Sequence, residues 1–150
     1  MDKIMQSDQL RENPHLKVVN VWLLIAGHYI IPSKITDELG IQPSRCFARG
    51  DKYVVKKFGI ENKRFSGHWS ITTEGMLFST SVEKHARRLL ELLRKGNQEA
   101  IRSYIENPDC RVSVSFWIES KEHNPTNFDL SQGTMKELSE WCEDFSFRLL

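Results

Sequence analysis

The sequence lacks any long hydrophobic run. No apolar stretch in its 150 residues approaches the ~18 residues that a membrane-spanning helix needs. Residues 1–16 mix charged and polar side chains and contain no apolar segment typical of a secretion signal. We therefore expect a cytoplasmic protein that has no membrane partner.

Cysteine is scarce and odd in number, which argues against a disulfide framework. The three cysteines are Cys46, Cys110 and Cys142, and neither they nor the five histidines show the close pair spacing of a zinc site. Their places in the hydrophobic pattern predict buried structural thiols, since free cysteine behaves as a small hydrophobic residue. We expect neither a bound metal nor a catalytic cysteine.

Motifs for nucleotide chemistry are also missing. Neither a Walker loop nor a strand–GxGxxG–helix unit occurs in the chain. The adjacent carboxylates Asp37-Glu38 and Glu143-Asp144 fall in predicted helices, where neighbouring side chains diverge by about 100° and do not form an acid–base pair. The sequence therefore predicts a protein that is not an enzyme, with no catalytic residue and no cofactor, although an enzyme with an unrecognised pocket stays open.

What is present is the hydrophobic pattern of one α+β domain over residues 17–150, preceded by a polar N-terminal arm over 1–16. Capping-box spacing predicts that helices begin at Thr80 and Thr134. Met135, Leu138 and Cys142 lie on the apolar stripe of the second of these helices. The predicted strands are 18–27, 45–47, 52–58, 67–73 and 110–118, with a loop at 59–66; the predicted helices are 32–39, 80–95, 97–107 and 134–149. This order predicts a ferredoxin-like sandwich, an antiparallel sheet with two main helices plus a C-terminal helix.

Three segments carry a resemblance to a known family. They are PSKITDELGIQP at 32–43 followed by SRCFARGD at 44–51, GHWSI at 67–71, and the leucine-rich helix that contains His85. Together they resemble the bacterial domain-of-unknown-function family 4279 over about residues 18–147. The resemblance implies a small cytoplasmic domain without an established activity, some of whose relatives look like immunity proteins of toxin systems. It carries no catalytic residue to this chain.

The charges are unevenly distributed although the net charge is only +1. Residues 45–64 contain seven basic and two acidic side chains, whereas residues 119–144 contain seven acidic and two basic ones. Most charge runs are simply solvated faces, but opposed fields of this kind can steer a charged partner.

Two tryptophans form a second candidate feature. Trp22 and Trp117 lie on the phase of their strands opposite the apolar set, so pairing of the two strands places both on one face with Arg111 and Ser113. An open face of this kind can stack bases, but without an RNA-recognition motif we expect the C-terminal helix or a second subunit to cover it.

The favoured hypothesis is an immunity-type protein that neutralises a cognate bacterial toxin, such as a nuclease, by occluding its basic cleft, with nucleic acid not expected as the partner. Its partner-binding residues are Trp117, Glu119, Glu122, Glu137, Glu140 and Glu143. The alternative is a nucleic-acid-binding module that holds phosphates with basic side chains and bases with the tryptophans. Its residues are Arg45, Arg49, Lys52, Lys56 and Lys57.

Overall fold

The computed structural model describes residues 10–122 and 127–150, and within these ranges the chain forms seven strands and four helices. The predicted arm lies largely outside them. The strands are β1 (Leu16–Gly27), β2 (Arg45–Phe47), β3 (Lys52–Val55), β4 (Ile60–Lys63), β5 (Gly67–Thr72), β6 (Cys110–Ser120) and β7 (Asp144–Leu149). The helices are α1 (Pro32–Leu39), α2 (Val82–Arg94), α3 (Gln98–Glu106) and α4 (Gln132–Ser139). None of these helices is long and apolar enough to cross a membrane.

The main sheet has five strands in the order β2-β5-β1-β6-β7. Neighbouring strands are antiparallel except for β6 and β7, which are parallel. Strands β3 and β4 form a separate two-stranded sheet in the connection between β2 and β5. The α+β class is confirmed, with a mixed sheet rather than a purely antiparallel one.

The core lies between one face of the sheet and the helices. Alternate residues of β1 and β6, such as Leu23, Ile25 and Phe116, are fully buried there with Leu89 and Leu93 of α2. Because each large apolar side chain stabilises the fold by about 1.5–3 kcal/mol when buried, this face fixes the register of both central strands.

The C-terminal helix predicted over 134–149 is wrong in its second half. Helix α4 ends at Ser139, and residues 144–149 form β7 beside β6. Phe145, Phe147 and Leu149 fit a period of two as well as they fit a helical stripe, because Ser146 and Arg148 separate them. Residues 144–149 form a strand rather than a helix because they can pair with the free edge of β6. These residues therefore provide no C-terminal helix that packs on the sheet.

The predicted loop at 59–66 is also wrong, because residues 60–63 pair with β3 in register Lys52↔Lys63 to Val55↔Ile60. In these residues polar and apolar side chains alternate only weakly, because the β3–β4 hairpin is separate from the main sheet and buries little of either of its faces.

Both predicted capping boxes differ from the observed caps. Ser81 caps α2 by accepting from the Lys84 N–H, and Ser131 caps α4 by accepting from the Thr134 N–H. The caps of α1 and α3 agree with prediction, since Gly40 adopts φ 69° after α1 and Asn97 accepts from the Glu99 N–H.

Candidate functional site

The second face of the main sheet contributes nothing to the core, and we call it the open face. By strand register it carries Trp22 and Leu24 of β1 and Trp117 of β6, none of which belongs to the buried cluster beneath the helices. Its remaining side chains are mostly polar or charged: Arg45, Phe47, His68, Ser70, Thr72, Asn20, Ala26, Arg111, Ser113, Ser115, Glu119, Asp144, Ser146 and Arg148. The helix expected to cover this face is absent from the described residues, and apart from the buried Ser70 and Ser113 these side chains are half-buried or exposed.

The two tryptophans meet on the open face as predicted. Their ring centroids are 6.3 Å apart at an interplanar angle of 36°. The guanidinium of Arg148 lies 5.2 Å from the centroid of the Trp117 ring, because β7 places Arg148 directly beside Trp117. Two half-buried indoles, tilted against each other and next to a cation, offer ring surfaces for stacking.

A groove of about 810 Å³ opens at one end of this face, between the sheet and the β3–β4 hairpin. Its aromatic lining comes from Phe47, Tyr53 and Phe65. Its basic lining comes from Arg49, Lys63, Arg64 and His68. We call this site the basic groove.

Arg64 is the central side chain of the basic groove. Its guanidinium carbon lies 3.9 Å from the centroid of the Tyr53 ring and 4.1 Å from that of the Phe47 ring. Contacts of the guanidinium with two aromatic rings use none of its N–H donors, which stay available for hydrogen bonds. Within the described residues no acceptor or carboxylate satisfies those donors, so Arg64 is pre-positioned to bind an anion.

The neighbouring groups extend this cationic and aromatic array. The guanidinium carbon of Arg45 lies 5.4 Å from the centroid of the Phe47 ring, and the His68 ring stacks on Phe47 with centroids 4.9 Å apart. Burial together with the positive charges of Arg45 and Arg64 lowers the pKa of His68, so its ring is neutral at pH 7. The groove's positive field therefore comes from its arginines and Lys63 rather than from His68.

The structure divides the basic residues that the sequence singled out. Arg49 lines the groove and Arg45 lies next to it. Lys52 instead pairs with Glu61 at 3.5 Å, while Lys56 and Lys57 lie in the exposed turn of the hairpin. Lys63 and Arg64 were missed as site residues, since only the hairpin register shows that they return to the sheet.

The acidic residues are not brought into one patch. Glu137 accepts two hydrogen bonds of 2.7 Å from Arg94, and Glu140 accepts one from Gln98 at 3.1 Å. Glu143 accepts from the Val112 N–H at the start of β6. Glu119, paired with Lys17 at 3.7 Å, lies seven residues further along β6, which is about 23 Å in a strand.

Glu122, which follows β6, belongs with Glu119 and Trp117 at that distant end. The six predicted partner-binding residues thus fall into two groups at opposite ends of β6.

The cysteines differ from one another in exposure. Cys142 is buried, and burial raises the pKa of its thiol to about 11. Burial also raises the pKa of Cys110, which is half-buried. The prediction that all three are buried is wrong for Cys46, which is exposed because β2 is the edge strand of the sheet.

Buried polar groups elsewhere serve the fold. Glu83 joins α2 to the start of α4, and His85 links Thr73 to the carbonyl of Ser79. Across residues 10–122 and 127–150, no three His, Cys, Asp or Glu side chains are grouped so that they could hold a metal ion. The open face and the basic groove are the features of the described chain that bring aromatic and cationic side chains together.

These features define an α+β domain with one sheet face that no described helix covers and a basic groove at its end. Comparison with known proteins identifies its family: the model of DUF4279, a domain of unknown function, matches residues 17–149, so the chain belongs to this family. No curated protein and no solved structure matches the chain.

Proposed function

We propose that the protein is a cytoplasmic binding module for single-stranded nucleic acid. The observation that carries the proposal is the guanidinium of Arg64, whose carbon lies 3.9 Å and 4.1 Å from the centroids of the Tyr53 and Phe47 rings in the lining of a groove that shares Phe47 and His68 with the open face. Although the sequence favours a protein partner, the geometry favours an extended anion with flat bases.

Phosphates are bound in the basic groove. Arg64 presents a planar set of donors that matches phosphate oxygens, and Arg49 and Lys63 add positive charge to the same lining. Because the rings fix the guanidinium before the ligand arrives, little side-chain entropy is lost on binding.

Bases stack along the open face. Trp22 lies four residues from Ala26 at the groove, a distance of about 13 Å along β1. Trp22 and Trp117 together offer adjacent ring surfaces, and stacking tolerates any base because every base has a flat π-face. The expected specificity is therefore for single strands over duplex, with little sequence preference.

Fluorescence anisotropy with a labelled 12-nucleotide uridine RNA tests this proposal. The parent protein should bind at low salt, and Arg64→Gln should weaken binding at least about tenfold, because loss of a charged hydrogen bond costs about 1.5–3 kcal/mol. The slope of log K against log salt should fall by about 0.7 for each phosphate that the variant no longer binds. Arg64→Lys keeps the charge without the stacked plane and should give an intermediate affinity.

Lys95→Gln is the matched control. It removes one exposed positive charge at the end of α2, on the helix side of the sheet. Its affinity and salt slope should equal those of the parent. No binding of RNA at low salt, or equal losses in Arg64→Gln and Lys95→Gln, rules out the basic groove as a phosphate site.

A second candidate is the immunity-type function, and a different observation favours it. Phe78 is 95% exposed beside a cavity of about 430 Å³ that Val18 and Asn20 also line. In the sheet register these two residues lie opposite Glu119 and Trp117. An exposed aromatic ring beside a cavity, one strand away from an indole and a carboxylate, suits docking of a basic protein such as a nuclease toxin.

Coexpression with the product of any toxin gene found next to its own gene tests this candidate. Phe78→Ser with Glu119→Lys should abolish protection of the cells, whereas Arg64→Gln should leave protection intact. The opposite pattern would assign function to the basic groove alone.

A further inference from the structure

Within residues 10–122 and 127–150, strand β7 has no neighbouring strand on its outer side. It is the last strand in the order, and Ser146, Phe147 and Arg148 are exposed to solvent. Phe147 is 45% and Leu149 is 63% exposed, although both lie on the helix side of the sheet with the buried Ile118 and Phe116. An edge that is six residues long and partly apolar is a template for pairing with another strand.

Along β7, the backbone N–H and C=O groups of the odd-numbered residues point away from the sheet. Leu150 donates to the carbonyl of Ile118 and accepts from the Ser120 N–H, so both of its backbone groups face β6. Because these groups alternate in direction along a strand, those of Phe145, Phe147 and Leu149 face away from β6. Hydrogen-bonded pairs with a new antiparallel strand must therefore form at these odd positions.

The side chains of β7 are complementary to themselves. Residues 144–148 read Asp-Phe-Ser-Phe-Arg, which is symmetric in chemistry about Ser146. An antiparallel copy centred on Ser146 places Asp144 opposite Arg148 on the open face and Phe145 opposite Phe147 on the helix side. The phenylalanines then occupy hydrogen-bonded positions, and the charges occupy the closer non-hydrogen-bonded positions.

Neighbouring registers lose this match. Centring the pair on Asp144 or Arg148 places like charges opposite each other, which is destabilising. Centring it on Phe145 or Phe147 leaves both charges opposite uncharged side chains. The opposite edge of the sheet, β2, has only three residues and offers a smaller surface.

We propose that two copies of this chain associate through antiparallel pairing of their β7 strands, centred on Ser146. The pairing joins two five-stranded sheets into one of ten strands, with a two-fold axis perpendicular to the sheet. Both open faces then lie on the same side, which doubles the continuous surface available to a ligand.

Complementary charge reversal tests the register. Sedimentation velocity over a range of concentrations should show a reversible dimer for the parent. Arg148→Asp places Asp144 opposite aspartate, and Asp144→Arg places Arg148 opposite arginine, so each variant alone should dissociate at least about tenfold more readily. An equimolar mixture should regain the dimer, because each mixed pair again sets Asp opposite Arg. A mixture that stays monomeric while both variants keep the parent circular dichroism spectrum overturns the proposal.

Cysteine crosslinking gives a second readout that does not depend on charge. In a Cys46→Ser background, Ser146→Cys places two thiols opposite each other at the axis, where the Cα separation of about 4.5 Å suits a disulfide. Oxidation should convert this variant to a covalent dimer, whereas Lys95→Cys, an exposed position at the end of α2 and outside the proposed strand pair, should remain monomeric on a non-reducing gel. A parent that is monomeric at all concentrations, or equal crosslinking of the two variants, also overturns the proposal.

Discussion

The buried carboxylate of Glu83 should be one of the most costly single positions to neutralise. It is 0% exposed and accepts hydrogen bonds from the Ser131 N–H at 2.7 Å, the Thr134 hydroxyl at 2.6 Å and Arg87 Nε at 2.7 Å. These bonds hold the start of α4 against α2. Glu83→Gln keeps the shape but removes the charge and turns an NH₂ group toward groups that donate.

The expected cost follows from the geometry. Hydrogen bonds to a charged group each contribute about 1.5–3 kcal/mol, and breaking a buried ion pair from one side costs about 3–5 kcal/mol. Because glutamine retains one acceptor oxygen, we expect the free energy of unfolding to fall by about 3 kcal/mol. Urea denaturation followed by circular dichroism measures this change.

Glu91→Gln is the matched control. Glu91 also pairs with an arginine on α2, at 2.8 Å from Arg88, but its side chain is 56% exposed. Exposed pairs contribute at most about 1 kcal/mol, so this variant should unfold close to the parent. Equal losses of stability in the two variants would refute the assignment of a structural clamp to Glu83.

The pH dependence adds an independent check. Burial alone would raise the pKa of Glu83, but the bonds from Ser131, Thr134 and Arg87 outweigh it and lower the pKa below 4.5. A carboxyl whose folded pKa is lowered stabilises the fold above its unfolded pKa, and this stability is lost as the pH falls through the folded value. The parent should therefore lose stability below about pH 4.5 more steeply than Glu83→Gln.

Three further outcomes can be checked directly. Burial lowers the pKa of His85 below 6.5, so acid should destabilise the parent as the pH falls below that value, and His85→Gln should reduce this decline in unfolding titrations. Iodoacetamide should label exposed Cys46 well before buried Cys142 in the native protein, as peptide mass analysis would show. Tyr104→Phe removes the 2.8 Å hydrogen bond to Glu38 that joins α3 to α1, and should cost about 1 kcal/mol in denaturant unfolding.

The sequence predicted elements whose local signals agree with their packing. Helix α1 begins with Pro32 and ends before Gly40, whose φ of 69° suits glycine. Strand β6 alternates buried Val112, Val114 and Phe116 with more polar neighbours, as a strand with one covered face requires. In each case only one hydrophobic period, that of a helix or that of a strand, fits the residues, and the residues at the boundary are typical of the end of that element.

The prediction failed for residues 144–149, where the hydrophobic periods of a helix and of a strand fit the sequence equally well. Phe145 and Leu149 are four residues apart, as on a helix, but Phe147 between them also completes a strand pattern. The choice depends on the vacant edge of β6, which is a tertiary feature. The same error led to the expectation that a helix covers Trp22 and Trp117.

The candidate site was hidden for a related reason: charge that is contiguous in the sequence is not contiguous in space. The acidic segment spans β6, α4 and β7, so Glu119 and Glu143 lie near opposite ends of one strand. The basic segment folds as a hairpin, which turns Lys52 toward Glu61 and returns Arg64 to the rings of Tyr53 and Phe47. A cation that contacts aromatic rings keeps its hydrogen-bond donors for a ligand, whereas a cation paired with a carboxylate does not. A count of net charge cannot distinguish these two kinds of basic side chain. The aromatic residues interleaved with the basic ones, Phe47 and Tyr53 above all, were therefore the informative signal in this segment.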